Sequence, residues 1–246
     1  MKLLITNDDG VDAPGIAVLA RELSREHEIL VVAPDGERSG VSMHIDVRTP
    51  QTLSRRENGF YACSGTPADC VFLIQLGALD FVPDAVVAGI NHGPNMGSDI
   101  MYSGTCGAIK QAALGGLPGI AVSCEWSPEA LRYGAAASFV RRNFSRLLSY
   151  CSKDVFINVN APSSDDEALA GRWALPVRRS YQDKIHVYDA PDGKRYCFCE
   201  SSESRNEPDP LSDYSIVHGG LVAVTPVYVQ PQAETGAGFR PGREFN

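Results

Sequence analysis

Short apolar runs alternate with amphipathic stretches along the first two thirds of the chain. Three mainly apolar runs, Lys2–Thr6, Glu28–Ala33 and Asp84–Gly89, have the length and composition of buried strands. Between the first two, residues 12–27 place apolar side chains at helical spacing with charges between them. The pattern therefore predicts a strand–helix–strand unit, which gives parallel neighbours joined by a right-handed crossover.

The same alternation continues to about residue 162. It predicts strands at Gly119–Ser123 and Val155–Val159, and helices at Pro67–Gly77, Gly104–Leu114 and Pro128–Tyr150, the last with a weak point at Gly134. Strands that alternate with helices form a mainly parallel sheet with helices on both faces. The predicted fold class is therefore α/β, with a doubly wound, mainly parallel sheet.

The pattern changes after this point, where Asp, Ser, Pro and Gly clusters become frequent. We interpret residues 163–246 as hairpin or arm extensions of the same domain as the 1–162 core, with a role in oligomerisation. The predicted parts of this extension are alternating runs at Lys184–Tyr188 and Arg195–Cys199, a returning strand at 221–226 and a loosely ordered tail from Gln230.

Composition narrows the class of protein. A chain of 246 residues with 43% hydrophobic and 21% charged residues can build one large ordered domain. The net charge of −8 argues against a nucleic-acid partner, and no stretch is apolar enough to span a membrane. The cysteine count of seven is odd, and no charged-then-apolar leader precedes the first strand, so we expect free thiols in the cytoplasm.

Polar residues collect where three of the predicted strands end. They are Asn7–Gly10 after the first strand, Asp35–Gly40 after the second, and Asn91–Asp99 with Ser103–Thr105 after the third. Because ligands bind at the carboxyl ends of strands in an open parallel sheet, we expect these loops to form one site. Each cluster alone is more typical of a turn or a helix start, but the coincidence of three favours a site.

The residue types in these loops suit a phosphate. Asp8 and Asp9 repel each other, and a cation would offset that repulsion. Two carboxylates, a serine hydroxyl and an asparagine carbonyl are hard oxygen donors that suit Mg²⁺ or Mn²⁺, and these donors do not distinguish between the two ions. Ser103–Thr105 directly precedes a predicted helix, where free N–H groups favour an anion.

At these residues the sequence resembles the SurE family of survival proteins, which are metal-dependent 5′/3′-nucleotidases. The matching blocks are I-T-N-D-D-G at 5–10, V-V-A-P-D-x-x-R-S-G at 31–40, S-G-T-P-A-D-C-V at 64–71, A-G-I-N-H-G-P-N-M-G-x-D-I-x-Y-S-G-T at 88–105 and V-A-V-T-P at 222–226. The match is dense in the first half of the chain and patchy in the second.

The resemblance implies a Rossmann-like core and homodimers or homotetramers built partly from C-terminal arms. It implies one divalent cation per subunit, held by Asp8, Asp9, Ser39 and Asn91. It places the phosphate among Ser39, Gly40, Asn91, Asn95, Ser103, Gly104 and Thr105, with Asp8, Asp9 and Asn95 as the catalytic residues. The implied substrates are nucleoside 5′-monophosphates and 3′-monophosphates.

These residues predict hydrolysis of a phosphomonoester by a metal-activated water. One aspartate would hold the metal and the other would handle the water; we assign the water to Asp9, and the sequence leaves this choice open. Two alternatives remain: a non-catalytic nucleotide sensor on the same sheet, and a metal-dependent hydrolase of another bond, which would need histidine ligands. Neither G-x-G-x-x-G after the first strand nor G-x-x-x-x-G-K-[ST] is present, so a dinucleotide or P-loop site has little support.

Overall fold

The computed structural model describes residues 1–127, 131–202, 205–206 and 209–232. The first half of the chain forms β1 (Lys2–Thr6), α1 (Pro14–Leu23), β2 (Glu28–Pro34), β3 (Leu53–Arg55), β4 (Tyr61–Cys63), α2 (Pro67–Gln75), β5 (Ala85–His92), a 3-10 helix (Gly97–Met101) and α3 (Gly104–Leu114). The second half forms β6 (Gly119–Cys124), α4 (Gly134–Ser149), β7 (Val155–Ala161), β8 (Gly171–Trp173), β9 (Arg179–Ser180), β10 (Lys184–Asp189), β11 (Arg195–Glu200), β12 (Arg205–Asn206), α5 (Asp213–His218) and β13 (Val222–Tyr228).

Nine strands form the main sheet, in the order β3-β4-β2-β1-β5-β6-β7-β13-β8. The six strands from β4 to β7 in this order are parallel, while β3 and β13 pair antiparallel with β4 and β7. The chain runs outward from β1 through β2 on one side and then crosses to β5 on the other. This reversal of strand order confirms the predicted α/β, doubly wound fold and places a switch point between β1 and β5.

Helices cover both faces of the sheet, which explains why its central strands are apolar at every position. Successive residues of β1 point to opposite faces: Leu3 and Ile5 pack with residues of α1 and α4, and Leu4 packs with residues of α2 and α3. All three side chains are fully buried. A strand buried on both faces cannot alternate apolar with polar residues, so the near-continuous apolar runs follow from the architecture.

The prediction that α4 begins at Pro128 is wrong for residues 131–133, and residues 128–130 lie outside the described part of the chain. The helix begins at Gly134, the predicted weak point. Contacts from the segment after β7 hold the chain ahead of the helix: the Ser163 hydroxyl accepts from Arg132 N–H at 3.0 Å, and Ser164 N–H donates to the Arg132 carbonyl at 3.1 Å. Helical spacing in the sequence does not reveal these long-range contacts.

The strand predicted at Asp84–Gly89 extends three residues further, so Asn91 and His92 occupy its last positions rather than a loop. Its register with β6 shifts between Ala88 and Asn91. Gly89 lies within this irregularity at φ +137°, and a Cβ there would approach the Val122 carbonyl oxygen to 2.2 Å. The bulge therefore requires glycine, and it delivers Asn91 to the carboxyl edge of the sheet.

Part of the C-terminal segment forms the predicted extensions. β10 and β11 form an antiparallel hairpin whose residues are exposed, and β13 is the predicted returning strand, paired with β7. Another part packs onto the core: β8 forms an edge of the main sheet, and residues of α5 and β13 form a small cluster with Met96. The domain division at residue 162 stays a prediction. The predicted tail has only residues 230–232 in the described part.

Candidate functional site

The acidic pair lies at the carboxyl end of β1, beside the switch point. Asn7 follows the strand and fixes the turn, because its side-chain amide donates to the Gly10 carbonyl at 2.9 Å. Gly10 adopts φ +103°, a conformation that favours glycine. Asp8 and Asp9 therefore lie on a rigid turn between the strand and α1.

The Asp8 carboxylate is buried, with 3% of the residue exposed, and Thr105 binds both of its oxygens. Thr105 N–H donates to Oδ2 at 3.0 Å, and the Thr105 hydroxyl donates to Oδ1 at 2.5 Å. Gly104 makes this approach possible, since a Cβ there would lie 2.9 Å from both Cβ and Oδ2 of Asp8. The N-terminus of α3 thus holds Asp8 directly, as its partial positive charge favours.

Asp9 is less buried and has fewer partners. Its Oδ2 accepts from the His92 N–H at 3.1 Å. Burial raises the pKa of Asp9 to about 6, and the negative charges of Asp8 and, more weakly, Glu37 add to the rise. Burial also raises the pKa of Asp8, against the lowering effect of the Thr105 hydrogen bonds. Both carboxyls therefore resist ionisation here, and a bound cation would favour their charged forms.

The loop after β2 reaches the acidic pair through its backbone. Arg38 N–H donates to the Asp8 carbonyl at 2.7 Å. The next residue, Ser39, is exposed, and its hydroxyl donates to Glu37 Oε1 at 2.9 Å. Gly40 is also exposed, at φ +73°. The Ser39–Gly40 segment therefore directly follows a residue that is bonded to Asp8, and among the described hydrogen bonds it makes none to either carboxylate.

The donors at this edge fit a hard divalent cation. Asn91 donates from its side-chain nitrogen to the Gly93 carbonyl at 2.8 Å, which leaves its side-chain oxygen as the group for a ligand. Across the described part of the chain, no group of three or more His, Cys, Asp and Glu side chains is placed to hold a metal. A cation at Asp8 and Asp9 would therefore depend on hydroxyl, carbonyl and water oxygens to complete its coordination, as Mg²⁺ does.

Asn95 lies in a buried polar network that the sequence did not predict. Its backbone N–H donates to Asn160 Oδ1 at 2.8 Å, and its side-chain nitrogen donates to the Ser123 hydroxyl at 2.9 Å. The side chains of Asn158 and Asn160 both donate to the Asn95 carbonyl, at 2.8 and 3.1 Å. The only signal in the sequence is the N-x-N spacing in an apolar strand, which puts both amides on one face.

Segments from the C-terminal region hold the loop that follows Asn95. Gly97 N–H donates to Asp213 Oδ2 of α5 at 2.7 Å, and Asp99 pairs with the Arg179 guanidinium. The Tyr181 hydroxyl donates to the same Asp99 carboxylate at 2.5 Å. We call the contacts of Arg179, Tyr181 and Asp213 with this loop the loop clamp. It connects the extension to the candidate site.

The predicted phosphate residues at the start of α3 have partners within the protein. The Ser103 hydroxyl caps the helix by accepting from Cys106 N–H at 3.0 Å, and both polar groups of Thr105 donate to Asp8. Among the predicted site residues, Asp8 is hydrogen-bonded to Thr105 and lies against Gly104. Asp9 is hydrogen-bonded to the backbone of His92. Asn95 is held in its separate network. The roles assigned to all of these residues stay predictions.

Two further expectations concern the whole chain. All seven cysteines are free thiols, as the odd count predicted. Cys197 and Cys199 lie exposed on β11, and the others are at least partly buried. No helix in the described ranges is long and apolar enough to cross a membrane.

Comparison with known proteins gives a consistent result. The family described as survival protein SurE matches residues 3–183. A curated relative from Kosmotoga olearia, named 5′-nucleotidase SurE, is 39% identical over 236 residues, which cover 93% of this chain and 92% of that protein. A second of the same name, from Geotalea uraniireducens, is 40% identical over 235 residues, or 93% of each chain.

A solved structure agrees with the fold. The crystal structure of a SurE protein from Aquifex aeolicus superposes with a TM-score of 0.80 at 32% identity, covering 94% of this chain and 95% of that one. The matched residues 3–183 include all the loops that carry the predicted site. The chain therefore belongs to the SurE family.

Proposed function

We propose that this protein removes phosphate from nucleoside 5′-monophosphates and 3′-monophosphates with the help of one divalent cation, Mg²⁺ or Mn²⁺, per subunit. The observation that carries the proposal is the pair of buried Asp8 and half-buried Asp9 at the switch point, whose pKa values are raised by burial. Relatives at 39 and 40% identity over 93% of the chain identify it as a 5′-nucleotidase.

The residues divide naturally into two roles. Asp8, Asp9, Ser39 and Asn91 would hold the cation, which when bound supplies charge neutralisation at the phosphoryl group and acidifies the attacking water. Both oxygens of Asp8 already accept from Thr105, so this carboxylate is fixed. Asp9 accepts one hydrogen bond, at Oδ2, and its Oδ1 is free of hydrogen bonds from any described residue. We therefore assign Asp9 to orienting the water.

Charge on the phosphoryl oxygens would be stabilised by groups held in place beforehand. Ser39 and Gly40 lie on an exposed segment next to the acidic pair, and Gly104 lies at the positive end of α3. Asn95 is positioned by three hydrogen-bonded neighbours, Ser123, Asn158 and Asn160. Such preorganised polar groups lower the barrier because they need not reorient during the reaction.

The test is phosphate release from adenosine monophosphate with Mg²⁺ or Mn²⁺. We expect Asp8→Asn, Asp9→Asn and Asn91→Ala each to lose most activity while remaining folded, and EDTA to abolish wild-type activity. The matched control is Asp12→Asn, an exposed aspartate shortly after the acidic pair whose one ion pair within the described residues is with Arg56, at 3.6 Å. Full activity in EDTA would refute metal dependence, and binding without turnover would support a sensor instead.

We infer that the β10–β11 hairpin contacts a second copy of the chain. Five large apolar side chains on it are at least 44% exposed: Ile185, Val187, Tyr188, Tyr196 and Phe198. Exposed apolar area of this kind marks interaction surfaces. Whether the assembly is a dimer or a tetramer stays a prediction, as do the cytoplasmic location and the absence of a nucleic-acid partner.

A further inference from the structure

A cavity opens at the carboxyl edge of the sheet, on the face covered by α1 and α4. Its volume of about 690 Å³ lies within the range of small-molecule sites. We call it the edge pocket; its lining includes Pro14, Val18, His92, Trp126, Leu131 and Tyr133. Apolar side chains thus form one part of the lining. The imidazole, the phenol and the charged side chains of Arg21, Arg132 and Asp165 form the rest.

His92 connects the edge pocket to the acidic pair, although neither aspartate of that pair lines the pocket. His92 lines it, and the backbone N–H of the same residue donates to Asp9 Oδ2 at 3.1 Å. Tyr133 also lines the pocket, and one of its ring carbons would lie 3.4 Å from a Cβ on Gly15, at the start of α1 just after the acidic turn. A ligand that fills the pocket would extend from the candidate phosphate site.

The indole of Trp126 is an unusual part of this lining. The residue is 61% exposed, and its ring contacts no other aromatic ring among the described residues. The second tryptophan, Trp173, differs, since it packs edge-on against Tyr150 at 4.6 Å between ring centroids. An exposed indole at the opening of a pocket presents a flat surface on which a planar ring can stack.

We propose that the edge pocket binds the nucleobase of the substrate, stacked on Trp126, while the phosphate lies at Asp8 and Asp9. This inference rests on the proposed function. A nucleobase combines an aromatic face with hydrogen-bonding edges. It therefore matches a pocket that has apolar side chains on one part and polar groups, such as the His92 imidazole and the Tyr133 hydroxyl, on another. Stacking accepts any base, so the pocket favours nucleotides over phosphate esters that lack a base.

Fluorescence can test the pocket without any turnover. The chain contains two tryptophans, so Trp173→Phe leaves Trp126 as the sole indole. We expect adenosine, which has no phosphate, to quench the emission of this variant in a saturable way, and ribose 5-phosphate to leave it unchanged. Equal quenching by both compounds, or none by adenosine, would overturn the proposal.

Kinetics test the same pocket through specificity. For Trp126→Leu we expect kcat/KM for adenosine monophosphate to fall about tenfold, mainly through KM, with little change for ribose 5-phosphate. Trp126→Phe should restore most of the loss, because it restores an aromatic face. The control Trp173→Leu, in the other exposed tryptophan, should leave the ratio of the two substrates unchanged.

The outcomes separate the two proposals. Equal losses for both substrates in Trp126→Leu, or no loss for adenosine monophosphate, would overturn the base-binding role of the pocket. If the wild-type protein hydrolyses neither substrate, the proposed function fails, and the adenosine titration of Trp173→Phe alone decides whether the pocket binds a base.

Discussion

Thr105 is the residue on which the geometry of Asp8 depends most directly. It donates from both its backbone and its hydroxyl to a carboxylate that is almost completely removed from water. A buried carboxylate that loses a donor cannot recover the hydrogen bond from solvent, so its charged form is destabilised. The hydroxyl of Thr105 therefore acts on stability and on the site at once.

Replacing this hydroxyl tests its contribution. We expect Thr105→Val, which keeps the shape and the N–H, to lower the free energy of unfolding by about 2 kcal/mol in metal-free protein. Thr105→Ser should retain most of the stability because it keeps the donor. Urea denaturation in EDTA measures the free energy of unfolding of both variants. If Thr105→Val is as stable as wild type, this hydrogen bond contributes nothing to stability.

At the scale of single residues, the sequence identifies polar residues of the candidate site that follow a strand or begin a helix. It misses those that lie inside a strand. Asp8 and Thr105 occupy a strand end and a helix start, where polar residues indicate ligands or caps. Asn158 and Asn160 lie within β7, where local pattern favours an apolar residue. Their partner, Asn95, lies 65 residues from Asn160 in sequence, and nothing in the local pattern of β7 identifies it.

The 3-10 helix at Gly97–Met101 is held mainly by elements far away in the chain. The loop clamp joins it to β9 and α5, and Asp213 provides the most buried contact. Burial raises the pKa of Asp213, so its ionised form is disfavoured in the folded state, despite the N–H groups of Gly97 and Tyr214 and the nearby charge of Arg179. Its value to the loop lies in the hydrogen bond that Oδ2 accepts from Gly97 N–H, and an amide oxygen can accept this one bond as well.

Two substitutions at Asp213 separate its charge from its hydrogen bonds. At pH 7 we expect Asp213→Asn to be at least as stable as wild type and active. Asp213→Ala should be less stable than Asp213→Asn, by about 1–3 kcal/mol, and less active because the loop loses its acceptor. Thermal unfolding and phosphate release measure the pair; an Ala variant equal to the Asn variant would contradict this role.

The advantage of Asp213→Asn over wild type should depend on pH with a definite sign. The folded pKa of Asp213 is raised above its ordinary 3.8, so the unfolded chain loses this proton first as pH rises. Wild type therefore loses stability between about pH 4 and the raised folded pKa. The difference in unfolding free energy between Asp213→Asn and wild type should be smallest near pH 4 and larger at pH 7. A difference that shrinks as pH rises would contradict a raised pKa of Asp213.

Elements with a strong repeating pattern were predicted well, and their ends less well. The strands at the centre of the sheet were evident because burial on both faces makes them apolar. The start of α4 was misplaced because Ser163 and Ser164 fix the chain before Gly134. β3 and β4, of three residues each, are too short to show a period, so the sequence did not reveal them.

At the scale of the whole molecule, we expect the exposed β10–β11 hairpin to contact a second copy of the chain. Its two faces carry different apolar side chains: Val187 lies opposite Cys197 on one face, and Tyr188 packs near Phe198 on the other, at 5.8 Å between ring centroids. We expect Val187→Asp or Phe198→Asp, whichever faces the second copy, to reduce the molar mass measured by light scattering.

The turn of the same hairpin provides a control. Lys194→Asp changes charge near the exposed turn without removing apolar area, so it should leave the molar mass unchanged. If neither Val187→Asp nor Phe198→Asp changes the molar mass of an oligomeric wild type, the contact lies elsewhere on the surface.

The loop clamp has a consequence for how the protein is made. Gly97 and Asp213 are 116 residues apart, so a chain growing on the ribosome exposes the acidic pair and α3 long before α5 is synthesised. Until then the loop after Asn95 lacks the contacts that hold it. We therefore expect phosphatase activity to begin only after α5 has been synthesised, because the loop lacks its Asp213 contact until then.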